Sequence, residues 1–282
     1  MAVASFIFFL PLLLLRIILL RAYITMKKKI ELIEGNCLEV IDKLHDEQGE
    51  FVDLVFCDPP YFLSNGGITC KNGKMVKVDK GDWDKSEGAE IDHQFNYEWL
   101  KRCQKILKPN GSIMVSGTFH VIYSIGYAMQ QLNMKILNNI TWQKPNPPPN
   151  LACRYFTHST ETIIWAAKDH KSKHKFNYEL MKEINGGKQM KDVWVMTAPG
   201  KAEKTYDKHP TQKPITLLDR LILAATDEGD LVLDAFNGSG TTGVSCIRTD
   251  REYIGIEIDK EFIELSKKRF SEQTKLNDKL YA

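Results

Sequence analysis

Apolar positions along the chain alternate between two patterns. Short, mostly apolar runs at 30–33, 52–57, 112–116, 136–142, 160–167, 230–233 and 253–256 read as strands, several buried on both faces. Between them, apolar residues recur at helical spacing. Leu38, Val40, Ile41 and Leu44 mark one helix, and Phe95, Trp99, Leu100, Cys103, Ile106 and Leu107 mark another. The pattern also predicts helices over 121–133, 215–226 and 241–249. Lys108-Pro109-Asn110-Gly111 stops the second helix. Strands alternating with helices predict an α/β fold, with a mostly parallel twisted sheet and helices on both faces.

Three stretches break this pattern. Residues 1–25 contain no acid, and 2–15 no charge at all. They lack the basic start and small-residue cleavage site of a signal peptide. Arg16 interrupts the roughly 20 apolar residues that a membrane span needs. If the segment did insert, Lys27-Lys28-Lys29 would keep the main domain in the cytoplasm. Met26-Lys27-Lys28-Lys29 before a strand is a typical soluble beginning. The segment is therefore expected to lie outside a cytoplasmic catalytic domain over 26–282.

Residues 62–93 are Gly-rich and too long for a mere connection, which suggests a lid-like loop. The window 79–98 holds seven acids against Lys80 and Lys85, so that face is not expected to lie along phosphates. The third stretch, 142–208, opens on a proline-rich elbow and turns Lys-rich. From 142 to 213 there are 13 Lys and Arg against 7 Asp and Glu, a balance of +6 (13 − 7). Arg154, Tyr155, Phe156, His158, Tyr178, Trp194 and Tyr206 are interleaved there. Basic residues among aromatics suit a nucleic-acid surface, although a solvated face with ordinary core aromatics has the same composition.

Composition adds limits. The 282 residues are 43% hydrophobic and 26% charged, with a formal net charge of +2. That is room for one large α/β domain or two small ones. Any nucleic-acid binding must rest on local rather than bulk charge. Cys37, Cys57, Cys70, Cys103, Cys153 and Cys246 form no CxxC pair and no metal-ligand spacing with His. A reduced, metal-free cytosolic protein follows.

The chemistry sits at two turns. The strand at 52–57 ends in Asp58-Pro59-Pro60-Tyr61, at the strand end where open α/β sheets bind ligands. The Asp58 carboxylate and the Pro59 carbonyl can each accept a hydrogen bond from an exocyclic amine, and Tyr61 can lie flat against its ring. An ordinary Asp-Pro strand end is the plainer reading of the same residues. The second turn, Asp234-Ala235-Phe236-Asn237-Gly238-Ser239-Gly240-Thr241-Thr242, joins a strand to a helix, and the next strand ends in Glu257. Strand, Gly-rich turn and helix bring a cofactor close to bare backbone, and a following acid suits ribose hydroxyls. Gly238, Gly240 and Gly243 stand at GxGxxG spacing, and no Lys stands at P-loop spacing. The expected cofactor carries adenine and ribose, as S-adenosylmethionine does. In His209-Pro210-Thr211-Gln212-Lys213-Pro214, Lys213 is either a holder of the cofactor's carboxylate or a solvated lysine.

Together these residues resemble the amino-methylating DNA methyltransferases of the β class, in which the catalytic motif precedes the cofactor motif and the recognition region lies between. Within that class the stretches 60–68, 78–84, 150–163 and 188–194 are similar to the second adenine methyltransferases of DpnII-type restriction–modification systems. The resemblance implies a circularly permuted, Rossmann-like S-adenosylmethionine-dependent fold and methylation of adenine N6 within GATC. It also implies cofactor contacts from Asn36, Cys37, Asp58, Lys213, Asp234, Phe236, Gly238, Ser239, Gly240, Thr241, Thr242 and Glu257. Catalysis would rest on Asp58, Pro59, Pro60 and Tyr61, and DNA contacts on Asn65, Lys144, Arg154, Tyr155 and His158. A homodimer and functional pairing with a restriction endonuclease complete the implied partners. Asn36 stands where the class commonly has an acid, and Asn237 where it has an apolar residue. Methylation of cytosine N4, or of a protein glutamine or RNA, stays open. Asp rather than Ser at 58 favours adenine, and the motif order disfavours the non-DNA enzymes.

Overall fold

Residues 52–57 behave as a strand buried on both faces must. Leu54 and Phe56 enter one core, and Val55 and Cys57 the other. The computed structural model describes residues 29–64, 68–71, 74–77, 84–200, 203–204 and 212–281. The expectations for 1–25, for Asn65, for the acids up to 83 and for 209–211 lie outside the described residues.

In chain order the elements are β1 (Ile30–Glu34), α1 (Cys37–Gln48), β2 (Val52–Cys57), β3 (Ile68–Lys71), β4 (Lys74–Lys77), α2 (Ala89–Ile106), β5 (Leu107–Gly117), α3 (Ile122–Gln131), β6 (Lys135–Gln143), β7 (Thr160–Ala167), α4 (Tyr178–Ile184), β8 (Val193–Val195), α5 (Ile215–Ala225), β9 (Leu231–Asp234), α6 (Thr241–Thr249), β10 (Glu252–Glu257) and α7 (Lys260–Tyr281). Eight strands form one sheet in the order β1-β10-β9-β2-β5-β7-β6-β8. The run from β1 to β5 is parallel, β7 is antiparallel to β5 and β6, and β8 is parallel to β6. The expected mostly parallel α/β sheet is therefore present. One core packs Ile41, Trp99, Leu100, Cys103 and Ile125 on one face. Leu217, Leu221, Trp165, Tyr253 and Phe270 fill the other. Each such side chain contributes roughly 1.5–3 kcal/mol through burial.

The register decides where the site falls. Leu54 pairs with Val232 and Val55 with Leu233, so β2 and β9 run side by side although far apart in sequence. Asp58 and Asp234 consequently leave neighbouring strands at the same carboxyl edge. β1 joins that edge through the Gly35 N–H, which donates to the Glu257 carbonyl at 2.9 Å.

Several elements depart from the periodicity. β5 starts at Leu107, but its pairing with β2 jumps from Val52↔Leu107 to Leu54↔Ser112. The Pro-Asn-Gly stretch, which follows the end of α2 at Ile106 as expected, is thus also a bulge inside the strand's span. The loop expected over 62–93 contains the β3–β4 hairpin, and α2 begins at Ala89, inside that range. Glu90 and Asp92, counted as surface acids, occupy the first turn of α2, where the helix dipole favours negative charge. α4, β8 and the whole of α7 were not anticipated. Among the described residues no helix is long and apolar enough to cross a membrane.

Candidate active site

Beyond β2 the chain must turn without a ladder, because Pro59 and Pro60 have no N–H to donate. Asp84 organises the turn. Its carboxylate accepts the Tyr61 N–H at 2.9 Å, the Leu63 N–H at 3.2 Å and the Ser64 hydroxyl at 2.8 Å. Its carbonyl accepts the Ser64 N–H at 3.0 Å. Asp84 is wholly buried, and Phe62 between its partners has a φ of 57°. Sequence reasoning had counted Asp84 among acids of an exposed face. No local pattern marks it, because its partners lie 20–23 residues upstream.

The Asp58 carboxylate is engaged on both oxygens. The Tyr61 hydroxyl donates to Oδ1 at 2.6 Å, and the Lys213 ammonium binds Oδ2 and donates to the Tyr61 oxygen at 3.2 Å. Lys213, expected near a cofactor carboxylate or in solvent, is buried and also lies 3.4 Å from Glu161 Oε2. Glu161 in turn holds Lys144 on Oε1. Burial pushes the Asp58 carboxyl up; Lys213 opposes this and Glu161 adds to it. Burial and the two carboxylates raise the Tyr61 phenol well above its ordinary value. Burial works against the Lys213 ammonium, yet Asp58 and Glu161 outweigh it and raise its pKa. Burial likewise works against the Glu161 charge, but Lys213 and Lys144 hold its carboxyl below the usual range. Sequence reading missed Glu161 because it sits inside an apolar strand and reads there as an outward-facing polar residue.

The Gly-rich turn is fixed by its own acids. Asp234 accepts the Phe236 N–H at 3.0 Å and the Thr242 hydroxyl at 2.5 Å. Burial raises its pKa to about 7 against those hydrogen bonds. Glu257 accepts the Gly238 N–H at 2.7 Å and the Asp259 N–H at 2.9 Å. Burial raises its carboxyl as well, against these backbone donors. Gly240 is left-handed, with φ 74°, and a Cβ there would stand 2.6 Å from Ser266 Oγ. The unusual Asn237 is structural, since its amide donates to Ser266 Oγ and accepts the Tyr253 hydroxyl, both at 2.9 Å. Asn36 caps α1 by accepting the Leu38 N–H at 2.9 Å. Burial drives the neighbouring Cys37 thiol up to about 12.

Both turns open into one cleft of ≈ 270 Å³. Asn36, Cys37, Asp58 to Tyr61, Lys213, Asp234, Phe236, Gly238, Ser239, Thr241, Thr242 and Glu257 all line it. Gly240 lies behind it, against Ser266 and Phe270. Phe56, Phe236, Ile258 and Phe262 give it apolar walls. Flat apolar walls, an acid beside the Gly-rich turn and the Asp58 and Asp234 carboxylates are the surfaces and acceptors that suit an adenosine with a cationic tail.

The expected DNA contacts lie apart in character. Lys144 is engaged with Glu161 and sits over the Trp142 ring at 4.6 Å. Arg154, Tyr155 and His158 are exposed. His158 stacks on Phe119 at 4.7 Å, and Tyr155 lies 5.3 Å from His158. Phe156 beside them is 96% exposed. Because Gly117 pairs with Thr162, this aromatic shelf stands at the same sheet edge as Asp58. Phe119 went unremarked in the sequence because it lies just after a strand, outside the basic window.

Residues 52–268 match the family described as DNA methylase. The chain is 53% identical over 252 residues to the Type II methyltransferase M2.DpnII of Streptococcus pneumoniae, covering 89% of this chain and 93% of that one. It is 51% identical over 247 residues to the Type II methyltransferase M2.MboI of Moraxella bovis, covering 88% and 89%. Among solved structures, the M1.HpyAVI–SAM complex superposes with a TM-score of 0.63 at 26% identity, covering 86% of this chain and 100% of that one. The cytosine-N4-specific PvuII DNA methyltransferase, at 20% identity, covers 86% and 89% with a TM-score of 0.63 and shares the fold.

Proposed function

The chain belongs to the DNA methylase family that matches its residues 52–268, and from that premise we propose that it methylates adenine N6 within GATC, as the modifying enzyme of a restriction–modification system. The observation that carries this reading is the shared cleft, in which Asp58-Pro59-Pro60-Tyr61 faces the Gly-rich turn and Glu257. Identity above one half to named Type II methyltransferases supports the restriction–modification setting.

S-adenosylmethionine, when bound, supplies an electrophilic methyl group on a sulfonium. Asn36 and Cys37 would lie by its adenine, Glu257 and Phe236 by its ribose and ring, and Asp58, Lys213, Asp234 and the 238–242 turn around its methionine end. The reacting amine is a poor nucleophile because its lone pair is delocalised into the base. Asp58 and the Pro59 carbonyl accept its two N–H groups, which favours a pyramidal nitrogen and frees the lone pair. Positioning of this kind contributes several kcal/mol. Tyr61 receives the ring by stacking, once the base has left the duplex or arrives on a single strand. Arg154, Tyr155, His158, Lys144 and Asn65 hold the nucleic acid beside the cleft. The chemistry uses no metal. A homodimer in the cytoplasm, paired in function with a cognate endonuclease, completes the proposal.

The test is transfer of labelled methyl to DNA, followed by digestion to nucleosides. Label in N6-methyladenine is expected; label in N4-methylcytosine or none at all overturns the assignment. Asp58→Ala should abolish transfer, by about 10³-fold or more, while calorimetry still detects cofactor binding.

A further inference from the structure

Four charges, Lys213 buried and the others partly buried, form a chain between the recognition region and the catalytic turn: Lys144, Glu161, Lys213 and Asp58. Their side chains are 23%, 11%, 6% and 15% exposed. Lys144 binds Glu161 Oε1, and Lys213 binds Asp58 Oδ2. Glu161 Oε2 is buried and accepts no hydrogen bond among the described residues, although Lys213 Nζ lies 3.4 Å away.

This arrangement conflicts with the role proposed for Asp58. A carboxylate already bound by an ammonium and a phenol is a weakened acceptor, and a neutral amine N–H competes poorly with an ammonium for it. Lys213 has a second protein anion within reach, Glu161, whose Oε2 lies 3.4 Å away. It is the second residue of β7, whose antiparallel pairing with β5 brings it to the carboxyl edge of the sheet.

We propose that Glu161 is a positioning residue for methyl transfer: it draws Lys213 off Asp58 when the target amine arrives, leaving Asp58 free to accept it. The inference rests on the methyltransferase reading above. Lys144 couples the step to nucleic acid. It follows β6 at the start of the proline-rich elbow, and a phosphate that takes it away leaves Glu161 with one cation fewer. Glu161 then attracts Lys213 more strongly.

Three proteins decide the matter: Glu161→Gln, Lys213→Met and the double variant, each assayed for labelled-methyl transfer to DNA and for cofactor binding by calorimetry. Glu161→Gln should lower kcat about tenfold or more, while KM for DNA and Kd for S-adenosylmethionine stay within about twofold. On the Lys213→Met background the same change should cost no more than about twofold, since no cation remains to be moved. Wild-type kcat in Glu161→Gln overturns the proposal. So does loss of cofactor affinity in step with kcat, or an equal cost on both backgrounds. If Glu161→Gln does not fold, Glu161→Asp decides: a kcat reduced about threefold or more at unchanged cofactor affinity supports the proposal, and wild-type kcat overturns it. A wild-type protein that methylates no DNA sinks the methyltransferase reading itself, a result distinct from all of these.

Discussion

At the scale of single residues, the active-site turn depends on a carboxylate that never touches substrate. Asp84 accepts hydrogen bonds from two backbone N–H groups and a hydroxyl at the turn. Asp84→Asn keeps the volume but offers one acceptor oxygen for three donors and turns an amide N–H toward another N–H. The expected cost is about 2–4 kcal/mol of stability, seen as a lowered Tm. Methyl transfer should fall by more than cofactor affinity, because Asp84 holds the Tyr61 turn and not the Gly-rich one. Unchanged Tm and activity would refute the role. Asp58 and Tyr61 were legible in the sequence because their chemistry is contiguous and set at a strand end. Asp84 and Glu161 were not, because their partners are not contiguous with them: Tyr61 is 23 residues from Asp84, and Lys144 is 17 from Glu161.

At the scale of elements, periodicity found the strands and helices whose buried faces are apolar, and it failed where the buried face is polar. α7 buries Ser266, Arg269 and Gln273 beside Ile263 and Phe270. Arg269 donates to the Ser239 carbonyl and Ser266 to the Gly238 carbonyl. This helix packs on exposed carbonyls of the Gly-rich turn, so its inner face carries donors and its apolar stripe is thin. α4 and β8 are too short, at 7 and 3 residues, for any period to register. The contact between α7 and the turn makes Gly240 sensitive. Gly240→Ala incurs a left-handed penalty of about 1–2 kcal/mol and drives a methyl into Ser266 and Phe270. Gly49→Ala is the control, since its φ is 72° but nothing lies within 4 Å of its added carbon. The Gly240 variant should lose more Tm than the Gly49 variant and bind S-adenosylmethionine about tenfold or more weakly. Equal Tm losses would show that the close approach to α7 does not matter.

At the scale of the whole molecule, the order of the two motifs is a property of where the chain is cut and not of the sheet. β9 and β10 are flanked by β2 on one side and β1 on the other, so the cofactor half is assembled from both ends of the chain. The motif order read from sequence therefore reported connectivity, while the adjacency of β2 and β9 had to come from pairing. A permuted chain should test this. The cut belongs between residues 200 and 201, because Glu203 accepts the Ile215 N–H at 3.0 Å and must stay with α5, while Gly200 is exposed. A flexible Gly/Ser linker of about 20 residues joins residue 282 to Lys29. The permuted protein presents the cofactor motif first and the catalytic motif second, yet it can form the same eight-stranded sheet, since no strand is cut. Exposed loops tolerate such cuts when their backbone carries few hydrogen bonds. It should bind S-adenosylmethionine with a Kd within about tenfold of the parent and transfer methyl to the same base. A permuted protein that folds, by circular dichroism and a cooperative melt, but binds no cofactor would show that the chain order itself shapes the cleft.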